Sequence, residues 1–590
     1  MMNISNKWNL TDIFKSEDEF DSLYNEVKES YEEILKYKGK LGESSNVLYN
    51  CYNDLEQLEE KLLKIDAYAT LRYHQNMQDG KNINLYKNAE NLIHKVSSVL
   101  AFITPEVTNI SDDTLLKFLE ENGKLRKYER IIKEIIKNKK HILTEKEEYI
   151  LSKMSGVLNS FDNIYTMLCD VNFKFGDIQG EDRKILKVTH ATYSKYLQSN
   201  NAKIRKDAFE SMYSKYKEYI ETITENYLSN VKKSVILANL KKYESSLDRA
   251  LDNDDSNRKV YENLVNTVNK NLHLNHRYMK LKAKMLNIDK LHMYDVYVNP
   301  IVEEKESVPY EKACDTVKEV LQVMGKEYVE TVDKAIQNGW IDVYETENKY
   351  SGGYSMGVYG VHPYILLNYT DDIESESTLI HEIGHTMHSY LSDNTQNLFN
   401  SEYTIMVAEV ASTVNEILLS EHLISKEEDK MKKAYLINSQ IDRIRATLIR
   451  QTMFAEFEKI IHEKISQDIS LSPEEVSDVY YELNKKYFGD SVISDELIRY
   501  EWARIPHFYN NFYVYKYATG ISSAIMIANK IISKEEGFVE KYLEMLSLGG
   551  AKDSLELLKM VDVDLEKEDV INNAFIYFEE KINELEELLK

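Results

Sequence analysis

Apolar residues recur three and four positions apart along most of this chain, the spacing of one buried helical face. SEDEFDSLYNEVKESYEEILKYKGKLG, beginning at Ser16, has a polar start, that spacing and a glycine stop, and so predicts an amphipathic helix. DLEQLEEKLLKIDAYATLRYHQNM and EKEEYILSKMSGVLNSFDNIYTML continue the pattern. The polar interval FKFGDIQGEDRKILKVTHATYSKYL predicts a small hairpin or irregular link, with a domain boundary near residue 195. That boundary divides an N-terminal helical lobe, 1–195, from a second domain, 196–590. Long helices resume over 201–287. Pro300, Pro309 and Pro363 then break the texture, and Gly352, Gly353, Gly357 and Gly360 crowd together. GVYGVHPYILLNYT alternates and is rich in aromatic and branched residues, which makes it the strongest strand candidate. Helical spacing returns after it and persists to Lys590. The expectation is a mainly α fold.

Composition agrees with that pattern and narrows the function. The 590 residues are too many for one simple core and enough for two or three lobes. With 43% hydrophobic and 29% charged residues the chain is globular, and its 19 glycines and 6 prolines leave helices long. A formal net charge of -25 repels phosphate backbones, so no nucleic acid partner is expected. Cys51, Cys169 and Cys314 are odd in number and widely spaced, a usage that fits a reducing cytosol. The opening MMNISNKWNLTDIF lacks the basic-then-apolar pattern of a signal peptide. No apolar run approaches the roughly 18 residues of a membrane helix; ISSAIMIANKII comes nearest. A soluble, cytoplasmic protein without a membrane partner is expected.

TLIHEIGHTMHSYLSD carries the chemistry. Residues four apart on a helix project from one face, so His381 and His385 can aim two imidazoles at one tetrahedral Zn²⁺. Glu382 lies about 100° around the helix, poorly placed to ligate and able to reach a water on the metal. This is the His-Glu-x-x-His arrangement of zinc peptidases. Asp371, Asp372 and Glu374 suit a helix start, and Ile380, Ile383, Met387 and Leu391 supply apolar packing. Gly384 weakens a helix by about 1 kcal/mol against alanine, a cost explained by close approach of another backbone or a ligand.

A catalytic zinc needs a third protein ligand. His388 is on the same helix, but its Cα stands about 10 Å from that of His381, and three ligands strung along one straight helix converge poorly. Glu409, in YTIMVAEVASTVNEILLSEHL, sits among apolar Val407, Ala408, Val410 and Ala411, where a carboxylate needs a partner. An antiparallel second helix would lay it beside the two imidazoles. Glu402 and Glu416 share its face at seven-residue spacing, so geometry alone leaves the choice open. Farther on, RIPHFYNNFYVYKYATG packs His507, Tyr509, Tyr513, Tyr515 and Tyr517 together. Phenol and imidazole donors of this kind stabilise the oxyanion that develops as a peptide bond is hydrolysed.

In combination and in this order, HEIGHTMHS, NPIVEEKESVPYEKACDTVKEVL, GWIDVYETENKYSGGYSMGVYGVHPYILLNYT, VAEVASTVNE and WARIPHFYNNFYVYKYATG resemble the oligoendopeptidase F family, of the thimet-oligopeptidase-like zinc metallopeptidases. KWNLTDIFKSEDEF is similar to its N-terminus, so the likeness spans nearly the whole chain. The resemblance implies a two-lobed helical ellipsoid with a deep channel for short peptides, and a small sheet beside the zinc helix. It implies one Zn²⁺ per chain, held by His381, His385 and Glu409, with Glu382 as general base. It also implies that Tyr515 and His507 meet the substrate and the oxyanion, with Tyr509, Tyr513 and Tyr364 as further contacts. IPHFYNNFYVYKY is shorter than the corresponding segment of larger relatives and lacks its glycines. His388 stays an alternative metal or substrate contact, and His362 either a subsite residue or simply exposed. The expected activity is zinc-dependent hydrolysis of internal bonds in oligopeptides, with strand 361–369 pairing along the extended substrate.

Overall fold

The computed structural model describes residues 5–181, 184–301 and 307–590. The expected helices are present, several of them begun by a capping side chain. Ser16 accepts the N–H of Glu19 to start Glu17–Ser30, and the pattern beyond it tightens into a 3-10 turn, Tyr31–Tyr37. Ser44 caps Ser45–Gln75, the longest helix, and Asp79 caps Gly80–Leu100. In the polar interval, Ile178–Gln179 pairs antiparallel with Ile185–Leu186, the small hairpin its composition predicts.

The chain forms two compact units, each built from three separate segments. The first contains Met1–Ile142, Lys305–Leu419 and Ala528–Asp562; the second contains Leu143–Glu304, Ser420–Ile527 and Val563–Lys590. Residue 195 therefore lies inside the second unit, in helix His190–Leu197. The physical reason is visible at the N-terminus. Trp8 donates its indole N–H to the carbonyl of Ile365 at 2.8 Å, and Asn9 N–H donates to Gly339 at 2.7 Å. Trp8, Phe14, Phe20 and Tyr68 share one apolar core with Tyr364 and Leu366, so distant segments bury one another's surfaces.

Within the first unit stands a three-stranded sheet. The middle strand, Tyr364–Tyr369, is parallel to Ile341–Tyr344 on one side and antiparallel to Tyr354–Met356 on the other. The strand candidate is thus real but shorter than GVYGVHPYILLNYT, because Gly360 at φ +76° turns the chain just before it. It is buried almost throughout and hydrogen-bonded on both edges, so 361–369 cannot also pair with a substrate. Among the described residues the sheet's unpaired edge next to the histidine helix is Tyr354–Met356. Lys349 holds the loop leading to that edge: its buried ammonium donates to the buried carboxylate of Asp342 at 2.7 Å and to the Tyr344 carbonyl at 2.7 Å.

Candidate metal centre

The histidine helix runs from Ile373 to Thr395, begun by Asp372, whose carboxylate accepts the N–H of Ser375 at 2.8 Å. Leu379, Ile380, Ile383 and Met387 are buried along it. The glutamate helix, Ile405–Lys426, crosses it at Gly384. A Cβ built at Gly384 would stand 2.6 Å from Ser412 Cα and 2.9 Å from the Ala411 carbonyl, so only glycine lets the two backbones meet this closely. The pairs 384 with 412, 381 with 416 and 380 with 415 run in opposite directions, the antiparallel arrangement. Glu409 and Glu416 lie one turn to either side of that crossing and flank the imidazoles.

One atom each from His381, His385 and Glu409 lies within 4.8 Å of the others. His381 Nε2 is 3.1 Å from His385 Nε2 and 4.0 Å from Glu409 Oε2. Ligand bonds of about 2.0–2.2 Å to zinc put tetrahedral ligand atoms roughly 3.3–3.6 Å apart, which these separations bracket. His381 turns its other nitrogen to Glu416 Oε1 at 3.1 Å, the bond that fixes a ligating ring's tautomer and orientation. Glu382 is 6% exposed, and its Oε2 has no partner among the described residues.

The electrostatics describe a site short of positive charge. Burial pushes Glu382 up to about 7, with the neighbouring carboxylates of Glu409 and Glu416 adding to the shift against His381. Burial likewise raises Glu409. His385 is pushed down to about 3 by burial and by His381, whereas the carboxylates of Glu416, Glu382 and Glu409 outweigh burial to raise His381. Two imidazoles, a carboxylate in reach and an orphaned buried carboxylate oxygen are a donor set that fits a divalent cation.

His388 does not join them. It is fully buried, stacked on Tyr403 with ring centroids 3.5 Å apart, and pushed down to about 3 by burial and then by His385. His362 stacks on Trp340 at 4.2 Å and bonds Asp12 at 3.1 Å, so it is a packed residue rather than a bare one. Tyr364, expected at the substrate, fills the core beneath the sheet and donates its hydroxyl to the Asn9 carbonyl at 3.1 Å. Gly353 lies against Glu382: a Cβ there would be 3.6 Å from Glu382 Oε1. Ser355 Oγ and Thr386 Oγ1 are 2.8 Å apart, so the sheet's edge strand lies across the turns that carry the histidines.

The aromatic segment belongs to the second unit. Tyr515 begins helix Tyr515–Ile532, is fully buried, and donates its hydroxyl to Asp254 at 3.1 Å. Tyr509 is buried too and accepts from Asn226 at 3.0 Å. The accessible members are His507, Tyr513 and Tyr517. Tyr513 stacks near His507 and edges Tyr517, whose hydroxyl is 3.4 Å from His507 Nε2. Tyr517 stands four residues beyond Tyr513, in the first turn of helix Tyr515–Ile532. Phe512 precedes them at φ +58°, its N–H bonded to the buried carboxylate of Glu458 at 2.8 Å.

Residues 195–576 match the model of peptidase family M3, and 106–175 match that of oligopeptidase F. Oligopeptidase PepF of Bacillus subtilis is 39% identical over 99% of this chain and 87% of its own. An oligoendopeptidase F homolog of Borreliella burgdorferi is 36% identical over 100% of this chain and 99% of its own. The crystal structure of oligoendopeptidase-F from Enterococcus faecium superposes with a TM-score of 0.75 at 32% identity, covering 97% of this chain and 99% of that one. With family matches along the chain and relatives of more than 30% identity over nearly its whole length, the chain belongs to peptidase family M3, among its oligoendopeptidase F members, and is a metalloendopeptidase.

Proposed function

We propose that this chain is a zinc-dependent endopeptidase that cuts internal bonds of short peptides, with Glu382 as the general base. The observation that carries this reading is the convergence of His381, His385 and Glu409 beside Glu382. Zinc held there supplies Lewis acidity, polarising the scissile carbonyl and lowering the pKa of a water towards about 7. Glu382 Oε2, buried and without a partner among the described residues, takes a proton from the attacking water and passes it to the departing amine. Glu416 holds the His381 ring in the orientation its other nitrogen needs.

The extended peptide adds to the sheet along Tyr354–Met356, where backbone hydrogen bonds give affinity with little demand on side chains. Gly353 keeps the space beside Glu382 clear for it. In the aromatic segment the accessible rings are those of His507, Tyr513 and Tyr517, since Tyr515 is buried with its hydroxyl committed to Asp254. Three buried cysteines without a disulfide support a reducing, cytoplasmic setting.

Glu382→Gln keeps the carboxamide in the same space and removes the base. Zinc content should stay unchanged while turnover of a short peptide falls about 10²–10⁴-fold. A variant that cleaves at the wild-type rate would end the general-base assignment. Products from peptides blocked at both ends, read by mass, distinguish internal cleavage from trimming of a free terminus.

A further inference from the structure

Within the first unit, the end of the longest helix, Ser45–Gln75, meets the loop that leads into the sheet's edge strand, Tyr354–Met356. Tyr350 N–H donates to the His74 carbonyl at 2.9 Å, and Met77 N–H donates to the Asn348 carbonyl at 2.8 Å. The His74 ring adds two contacts of its own. It stacks on Tyr350, with centroids 4.3 Å and planes 21° apart, and its Nδ1 is 2.8 Å from the Tyr354 hydroxyl. One side chain thus grips both ends of the segment Tyr350–Tyr354.

The middle of that segment lies against the metal centre. Gly352 bends the chain at φ +98°, and the Asn368 amide donates to its carbonyl at 2.8 Å and to that of Tyr350 at 3.0 Å. Gly353 follows, where a Cβ would stand 3.3 Å from Thr378 Cγ2 and 3.6 Å from Glu382 Oε1. Side chains alternate across a strand, so Tyr354 and Ser355 point to opposite faces. Ser355 meets Thr386 of the histidine helix, whereas Tyr354 packs with Leu366 against the core of N-terminal residues. The edge strand is therefore pinned on both faces, by the histidine helix on one and by His74 on the other.

Burial lowers the pKa of His74 and raises that of Tyr354, so their bond joins two neutral groups. Any influence of His74 on the reaction must then pass through the strand it holds. We propose that His74 is a positioning residue for substrate binding, which through Tyr350 and Tyr354 sets where Gly353 and the edge Tyr354–Met356 lie beside Glu382. This role rests on the peptidase reading above, in which an extended peptide adds to that edge. Backbone hydrogen bonds span only about 2.7–3.2 Å, so an edge free to shift loses its bonds to the peptide. The metal ligands stand on two other helices, so binding should suffer and the chemical step should not.

The test is steady-state cleavage of one pentapeptide blocked at both ends by the zinc-loaded chain, with zinc content and denaturant unfolding measured beside it. Tyr354→Phe removes the hydroxyl and leaves both rings in place. It should raise KM about fivefold and leave kcat within about twofold of the parent. His74→Ala, which also removes the stack on Tyr350, should raise KM about tenfold or more. On that background Tyr354→Phe should add little, because its bond is already gone. His74→Asn puts an amide group where Nδ1 stands and should recover part of the loss. An unchanged KM in Tyr354→Phe overturns the proposal, as does a loss of zinc and kcat with KM unmoved, the mark of a purely structural role. A Tyr354→Phe effect that persists in full beside His74→Ala overturns it too. Should His74→Ala fail to fold, Tyr354→Phe and His74→Asn still decide the matter. A parent chain that leaves the peptide uncut contradicts the peptidase reading instead, which keeps the two failures apart.

Discussion

The helix pair at Gly384 and the aromatic segment at 507–517 hold the same kinds of residue, ring donors among apolar neighbours, yet spacing singles out residues only in the first, the two imidazoles of one helix, and leaves its carboxylate open. In the helix pair every functional distance is set within one regular element or by one crossing: four residues from His381 to His385, a glycine where the partner backbone passes. In the aromatic segment the tyrosines alternate, and alternation suggests equivalence. A helix starting at Tyr515 instead puts Tyr513 and Tyr517 on one side and buries Tyr515 against Asp254. Regular periodicity carries over from sequence to site; a change of backbone conformation between neighbours does not.

The largest expected effect comes from breaking the crossing. Gly384→Ala places a methyl 2.6 Å from Ser412 Cα, so the helices must part. Overpacking of this kind costs about 1–3 kcal/mol, and Glu409 moves with its backbone. Denaturant unfolding should show that loss, and zinc should be absent from the purified chain; full zinc content would mean the close approach is dispensable.

A subtler change in the same region sharpens the contrast between ligands and their supports. Glu416→Gln should weaken zinc affinity about 10–100-fold by loosening the His381 ring, measured by competition with a chelator. His388→Ala, removing a stacked core ring, should leave that affinity unchanged.

In the aromatic segment the same logic separates the tyrosines. Tyr513→Phe and Tyr517→Phe should lower kcat with little change in unfolding. Tyr515→Phe should do the reverse, losing about 1 kcal/mol of stability as Asp254 loses a donor. A Tyr515→Phe chain of wild-type stability and impaired kcat would restore that residue to the site.

The smallest effect concerns what holds the segment in place. Glu458 is fully buried beneath Phe512 and is pushed up to about 8 by burial, against the Phe512 N–H and Lys516. A carboxyl whose pKa is higher folded than unfolded holds more protons in the folded state. Its contribution is full below the unfolded value near 4.5 and is lost as pH rises to about 8. The Tm difference between Glu458→Gln and the parent should therefore shift in favour of the variant from pH 5 to pH 8. A difference independent of pH would contradict a neutral Glu458.

Much of the fold was legible because helices need only local periodicity and caps, as at Ser16, Ser44 and Asp372. The grouping into units was not, because it depends on Trp8 meeting Ile365 across 357 positions. The sheet misled for the same reason. YILLNY looks like any buried strand, and nothing within it says that Tyr354–Met356 rather than open space lies alongside. At the metal centre the choice of Glu409 over His388 followed from the rigidity of one helix, whereas the role of Glu416 needed the register of two.

The most direct test is a crystal structure of the zinc-loaded chain with anomalous data at the zinc edge. The account predicts one peak per chain, about 2.0–2.2 Å from His381 Nε2, His385 Nε2 and a Glu409 oxygen, with Glu382 beside it and not bound. A peak ligated by His388 or Glu416, or a Glu409 carboxylate turned away from the imidazoles, would contradict it.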